Sequence, residues 1–291
     1  FQVQGREELA LRIVDEARRA GADSVQLQVW SADNVVVPHH PAMPRLRELE
    51  LSRSAWGRVA AFARERHPEM QIIGCVNDLD SVHECVRMGV DAFKIHSADL
   101  SNPELLAAVA AIGKRIDLSI GGSSLDEIQR ALECIRDVND VPVWLMYGLQ
   151  LFPTPTRVLH LSFIATLRAL FQLPIGYQDH SDPESPASFW MPAAAIGFGA
   201  SVVEKHITHD RAFRGADHQA ALNPDEFHRF VAMVRELTAA AGDPRPRPFS
   251  SEELQYRSYA KKSLVAARDL PDGHVLEDRD MISRRAPDLG V

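Results

Sequence analysis

Short apolar runs rich in β-branched residues recur along the chain, at Ser24–Trp30, Gln71–Val76, Ala92–Ser97, Arg115–Ile120, Val143–Tyr147, Pro174–Asp179 and Ser201–Ile207. Between them the apolar positions switch to helical spacing. Asn102-Pro103-Glu104 starts one helix with a capping residue and a proline at the first helical position. Ser124-Leu-Asp-Glu127 reads as a capping box ahead of Ile128, Leu132 and Ile135. Asn223-Pro224-Asp225 repeats the first device ahead of Phe227, Phe230, Val231 and Val234. Seven strands alternating with helices predict an α/β fold with a parallel sheet. The chain opens on a helix, Arg6–Ala20. A closed (β/α)8 TIM barrel therefore needs its first strand upstream of Phe1. The rival is a doubly wound open sheet, but no glycine-rich dinucleotide loop follows any of these strands.

The pattern lapses twice. Ser31–Leu51, with His39, His40 and two prolines, is expected to be a long loop, and loops of that length are usually functional or mobile. Near Gly242 the run Gly-Asp-Pro-Arg-Pro-Arg-Pro-Phe reads as an extended linker. Beyond it Lys262–Ala267 is expected as a strand, Asp269–Gly273 as a turn and Met281–Arg285 as another short strand. The division expected is a barrel over 1–241, a proline-rich linker over 242–258 and a small partial domain over 259–291. That last piece is too short for a core of its own.

Composition narrows the classes. A length of 291 residues suits one barrel of roughly 250 plus an appendage. No apolar run approaches the roughly 20 residues needed to span a membrane. A net charge of −8 argues against nucleic acid as the main partner. Cys75, Cys85 and Cys134 show no paired spacing, which points to reduced thiols and a cytoplasmic setting.

The candidate chemistry sits at strand ends. His180 closes Pro174–His180 and His206 closes Ser201–His206, one strand-helix unit apart. Neighbouring barrel strands deliver such residues to one mouth. Two imidazoles with other positions open to water suit Mn²⁺ or Mg²⁺, whereas zinc would recruit a third strong ligand. The competing reading is a pair of hydrogen-bonded structural histidines. Gln178 shares a face with His180, and Glu204 and Thr208 share one with His206. Lys94 could hold an anion as a point charge, and Asp99 could act as acid or base. A surface ion pair is the plainer reading of that lysine. Ser97, Ser119 and Gly121-Gly122 add donors and close backbone approach. Asp217 could bind sugar hydroxyls, or belong to an ordinary polar loop.

Taken in order, several segments resemble the sialic acid synthase family, the phosphoenolpyruvate-dependent nonulosonate synthases. They are Gly21–Gln28, Phe93–Ser97, Leu118–Gly121, Phe152–Pro155, Ile175–His180, Val203–Thr208, Gly215–His218 and Asn223–Phe227. The tail Lys262–Gly273 resembles the start of that family's antifreeze-like (SAF) domain. The resemblance implies a β/α barrel followed by a SAF domain, assembled as a domain-swapped homodimer. It implies condensation of phosphoenolpyruvate with an N-acylated amino sugar, releasing phosphate. His180 and His206 fall on the family's metal ligands, with Mn²⁺ the usual ion. Lys94 and Asp99 fall on its catalytic positions. Substrate-binding positions are occupied by Gln26, Gln28, Cys75, Ser97, Ser119, Gln150, Phe152, Gln178 and Asp217. Tyr259 and Arg285 fall on the aromatic and the arginine that the SAF domain sends into a partner's site.

The chain also departs from the family. Gln26 stands where the family has a phosphate-facing lysine, Cys75 where it has a threonine, Gln150 an asparagine and Gln178 a serine. Gly148 and Leu149 break the usual His-Cys-Thr run. Fewer cations and hydroxyls weaken the hold on a trianion. Two alternatives therefore stand beside the synthase: a metal-dependent aldolase-type barrel, and a non-catalytic sugar-binding relative.

Overall fold

The computed structural model describes residues 2–243 and 245–286. The chain divides into two compact units, Phe1–Ala241 and Gly242–Val291. In the first unit eight strands lie in sequential order, β1 (Ser24–Val29), β2 (Gln71–Val76), β3 (Ala92–Ile95), β4 (Arg115–Ser119), β5 (Val143–Tyr147), β6 (Ile175–Asp179), β7 (Val202–Ile207) and β8 (Ala221–Leu222). Every neighbouring pair is parallel. Parallel neighbours require crossovers, and helices supply them between β1 and β7.

The seven expected strands are therefore present, each within a residue or two of its expected ends. The eighth strand of the sheet follows β7. It is two residues long, paired His206 to Ala221 and Ile207 to Leu222. Two residues carry no readable periodicity, which is why the sequence did not announce it. Among the described residues β1 and β8 form the two edges of this curled, TIM-like sheet.

Helix starts follow their caps. Asn102 accepts from the Leu105 N–H and opens Pro103–Ala111. Ser124 and Glu127 form a reciprocal box at Leu125–Val138. Asn223 corrects its expected role. Its carboxamide oxygen takes the N–H of Arg211 at 2.7 Å, while the Glu226 carboxylate takes the Asn223 N–H at 2.8 Å. The side chain thus ties down the loop before β8 rather than repeating the device at Asn102.

The loop expected at 31–51 is also corrected. It holds two short helices, Ala32–Val35 and Met43–Leu49. Met43 and Leu49 bury against Trp30 and Ala32, forming a small satellite core. The main core lies in the β-sheet and the helix faces packed on it, with Ile72, Phe93, Ile95, Ile116, Leu118 and Tyr177 almost fully buried.

In the second unit the linker expected over 242–258 is only partly extended. Ser250 and Glu253 make a capping box that starts a helix over Ser251–Ala260. Then β9 (Lys262–Ala266) pairs antiparallel with β10 (Met281–Arg285). Asp280 organises this hairpin. Its carboxylate accepts from the Glu277 N–H, Arg268 and His274, and its carbonyl takes the Ala267 N–H at 2.7 Å. Leu264, Val275 and Leu276 remain exposed.

Candidate active site

The carboxyl ends of the strands carry the polar side chains, as βα sheets arrange them. His180 follows β6 directly and His206 lies in β7. Their ring centroids are 5.1 Å apart. The residues just before them fix this pairing from behind. Asp179 and Lys205 form a fully buried ion pair at 2.6 Å. Tyr177 and Ser181 hydroxyls also donate to Asp179. A satisfied buried pair of this kind locks the register of β6 on β7, and so sets the two imidazoles side by side.

Both rings are held neutral. Burial lowers the pKa of His180. Burial and the neighbouring His180 ring bring His206 down to about 3. His180 Nδ1 lies 2.7 Å from the Leu149 carbonyl, which can only accept, so that nitrogen carries the proton. Its Nε2 lone pair is left for a ligand. His206 Nδ1 lies 2.7 Å from the Gln2 carboxamide. Two neutral imidazoles, one oriented by a backbone carbonyl, are a chemically suitable pair for a divalent ion that takes its remaining ligands from water or substrate. Among the described residues no group of three or more His, Cys, Asp or Glu side chains is arranged around one ion. Phe152 packs on the pair, 4.3 Å from His180 and 5.8 Å from His206 between ring centroids. The Thr154 N–H fastens its loop to the His180 carbonyl at 2.8 Å.

Lys94, for which a surface ion pair was the plainer alternative to a place in the barrel mouth, is 1% exposed. Lys94 Nζ donates to Glu204 at 2.5 Å. Burial alone would raise the Glu204 pKa, but Lys94 overrides it and holds the carboxyl down at about 2. Gln178 donates to the other Glu204 oxygen at 3.1 Å and accepts from Ser119 at 3.1 Å. A continuous Ser119–Gln178–Glu204–Lys94 chain thus crosses from β4 to β3 by way of β6 and β7. Gly148 makes room for it. A Cβ there would come within 2.5 Å of the Gln178 carbonyl and 2.7 Å of its Cβ.

These groups line a cavity of about 370 Å³. Of the residues singled out from sequence, Gln26, Gln28, Lys94, Gln150, Phe152, Gln178, His180, His206 and Asp217 lie on its wall. Others lie elsewhere. Ser119 reaches the wall only through Gln178. Cys75 is buried beside Lys94 in the strand register, and burial pushes its thiol up to about 12. Ser97 and Asp99 sit in a turn of 3₁₀-helix beyond β3, off the cavity wall, where burial raises the Asp99 pKa. Tyr259 and Arg285 belong to the second unit, on its helix and on β10. The cavity adds two residues that the sequence reading passed over. Gln2 touches His206. His96 lines the wall, and its Nδ1 accepts from the Ala98 N–H at 3.3 Å. The period of two from Lys94 was the available signal for His96.

A parallel βα sheet with imidazoles, a lysine and carboxylates gathered at the carboxyl ends of its strands is the layout in which βα-barrel proteins place their chemistry. The chain belongs to the NeuB family, whose model matches residues 13–245. The N,N'-diacetyllegionaminic acid synthase of Campylobacter jejuni is 28% identical over 293 residues, covering 95% of this chain and 85% of that protein. The human N-acetylneuraminate-9-phosphate synthase is 26% identical, covering 94% and 77%. The crystal structure of the N-acetylneuraminic acid synthetase of Leptospira borgpetersenii, in complex with citrate, superposes with a TM-score of 0.80 at 27% identity, covering 88% of each chain.

Proposed function

We propose that the protein is a nonulosonic acid synthase that condenses phosphoenolpyruvate with an N-acylated amino sugar and releases phosphate. The observation that carries this reading is the pair of neutral imidazoles, His180 and His206, side by side on one cavity wall with Lys94 in a member of this family. In this reading the two histidines would hold a divalent ion, Mn²⁺ or Mg²⁺, which when bound would supply Lewis-acid polarisation of the acceptor sugar's aldehyde. Lys94 holds an anionic group of the enol substrate, shared with Glu204. Phe152 packs on both imidazoles and bounds the space beside them. The second unit is the start of a SAF domain that brings Tyr259 and Arg285 to a partner chain in a homodimer.

The test is phosphate release from phosphoenolpyruvate by the full chain, with Mn²⁺ and a panel of N-acylated hexosamines. The reading predicts release that requires both the sugar and the ion. Absence of release with every sugar, from folded protein, overturns it.

A further inference from the structure

His96 lines the cavity but has no part in the synthase reading. It follows β3 directly, and its backbone is still extended, with φ −71° and ψ 150°. The alternation of the strand therefore carries one step further, and His96 falls on the same face as Lys94. Burial first, then the charge of Lys94, lowers the pKa of this half-buried ring and keeps it neutral. Glu204 and His180 also act on it, so the ring stands among the groups of the site.

One hydrogen bond fixes the tautomer. The Ala98 N–H, which can only donate, meets His96 Nδ1 at 3.3 Å. Nδ1 therefore holds a lone pair, and the proton of the neutral ring sits on Nε2. His180 has the opposite arrangement, because its Nδ1 faces the Leu149 carbonyl. Two histidines on one cavity thus present opposite chemistry. His180 offers a lone pair, which suits a cation. His96 offers an N–H, which suits an oxyanion.

Such a donor meets a shortage. Both lysines on the wall are already paired, Lys94 with Glu204 at 2.5 Å and Lys205 with Asp179 at 2.6 Å. An oxyanion that joins Lys94 also approaches the Glu204 carboxylate, and like charges repel. A neutral N–H on the same face adds attraction without disturbing the existing pair, and a hydrogen bond to an ionised acceptor is among the strong ones.

We propose that His96 is a binding residue for the anionic co-substrate, donating its Nε2–H to an oxyanion, phosphate or carboxylate, of the molecule that Lys94 holds. This rests on the synthase reading, in which that molecule is phosphoenolpyruvate.

The experiment is calorimetric titration of the full chain, with Mn²⁺, using phosphoenolpyruvate, inorganic phosphate and pyruvate. It compares the unmodified protein with His96→Asn and His96→Gln, which separate the two ring nitrogens. The Asn carboxamide oxygen sits where Nδ1 does and still accepts from Ala98, but the Asn amide stops short of the position of Nε2. The Gln amide reaches that position and gives up the Nδ1 acceptor. His96→Asn is expected to weaken phosphoenolpyruvate binding about tenfold or more, the size of one lost bond to a charged acceptor, and His96→Gln to stay within about threefold. A parallel loss with inorganic phosphate places the phosphate on His96, and one with pyruvate places the carboxylate there. Unaltered binding in His96→Asn, or a loss confined to His96→Gln, overturns the inference and leaves His96 as the cap of its turn. Loss of bound Mn²⁺ in both variants overturns it too, and makes the ring a metal ligand. So does an unmodified chain that binds none of the three anions. Failure of the synthase reading looks different: no phosphate is released with any sugar, yet the loss in His96→Asn stands. Failure of the inference alone leaves both phosphate release and phosphoenolpyruvate affinity intact in His96→Asn.

Discussion

Two side chains behind the histidines carry the geometry in front of them. Lys205 and Asp179 are 1% and 0% exposed, and each is the other's charge partner. Lys205→Met removes the cation and strands the carboxylate. Such a change costs about 3–5 kcal/mol, and chemical denaturation should show a loss of that size. A loss below about 1 kcal/mol would place Asp179 in contact with water. Gly148 is constrained in a different way. In Gly148→Ala the new methyl meets the Gln178 backbone, which cannot swing aside as a side-chain tip can. Overpacking of this kind costs about 1–3 kcal/mol, and a thermal scan should register it. The histidines themselves were readable, because strand ends and period-two faces are local properties. Their neighbours were not. Glu204 was placed on the right face of β7, but its choice of Lys94, 110 residues away, is a tertiary fact. Lys94 looked like a surface lysine because burial of a charge depends on a partner that local spacing cannot name.

Among the elements, caps were the most legible signal and chain pairing the least. Asn102 and Ser124 start their helices where the residue types placed them. The box at Ser250 and Glu253 has the same chemistry, but the prolines before it drew that stretch into a linker. In the tail hairpin, β9 and β10 were expected, whereas their organiser, Asp280, was not. Its carboxylate accepts from His274 first and then from backbone and Arg268, which hold its pKa at about 2. A carboxyl depressed in the folded state stabilises it above the unfolded value, near 4, and loses that contribution as pH falls through about 2. Amide exchange of β9 and β10 should therefore be steady from pH 7 to about 4 once corrected for the intrinsic rate, and quicken toward pH 2. In Asp280→Asn that acid-dependent step should vanish. A step that persists in the variant would assign it to another group.

For the molecule as a whole, the alternation of strand and helix told the fold class, and the ordered segments from Gly21 to Phe227 told the family. What they did not tell is how the sheet ends, since β8 is a two-residue strand, or how the cavity is charged. Its charge balance emerges only when Lys94 meets Glu204 and five glutamines, two of them on β1, line the same cavity. Family membership and the relatives' activities make the synthase reading concrete, while this wall marks where the chain goes its own way.

The central claim is that the strand-end histidines form a divalent metal site. It is tested most directly by calorimetric titration of metal-free protein with Mn²⁺, for the unmodified chain and for His180→Ala and His206→Ala. The account predicts one ion per chain in the unmodified protein and none retained by either variant. Undiminished Mn²⁺ binding in both variants would contradict it.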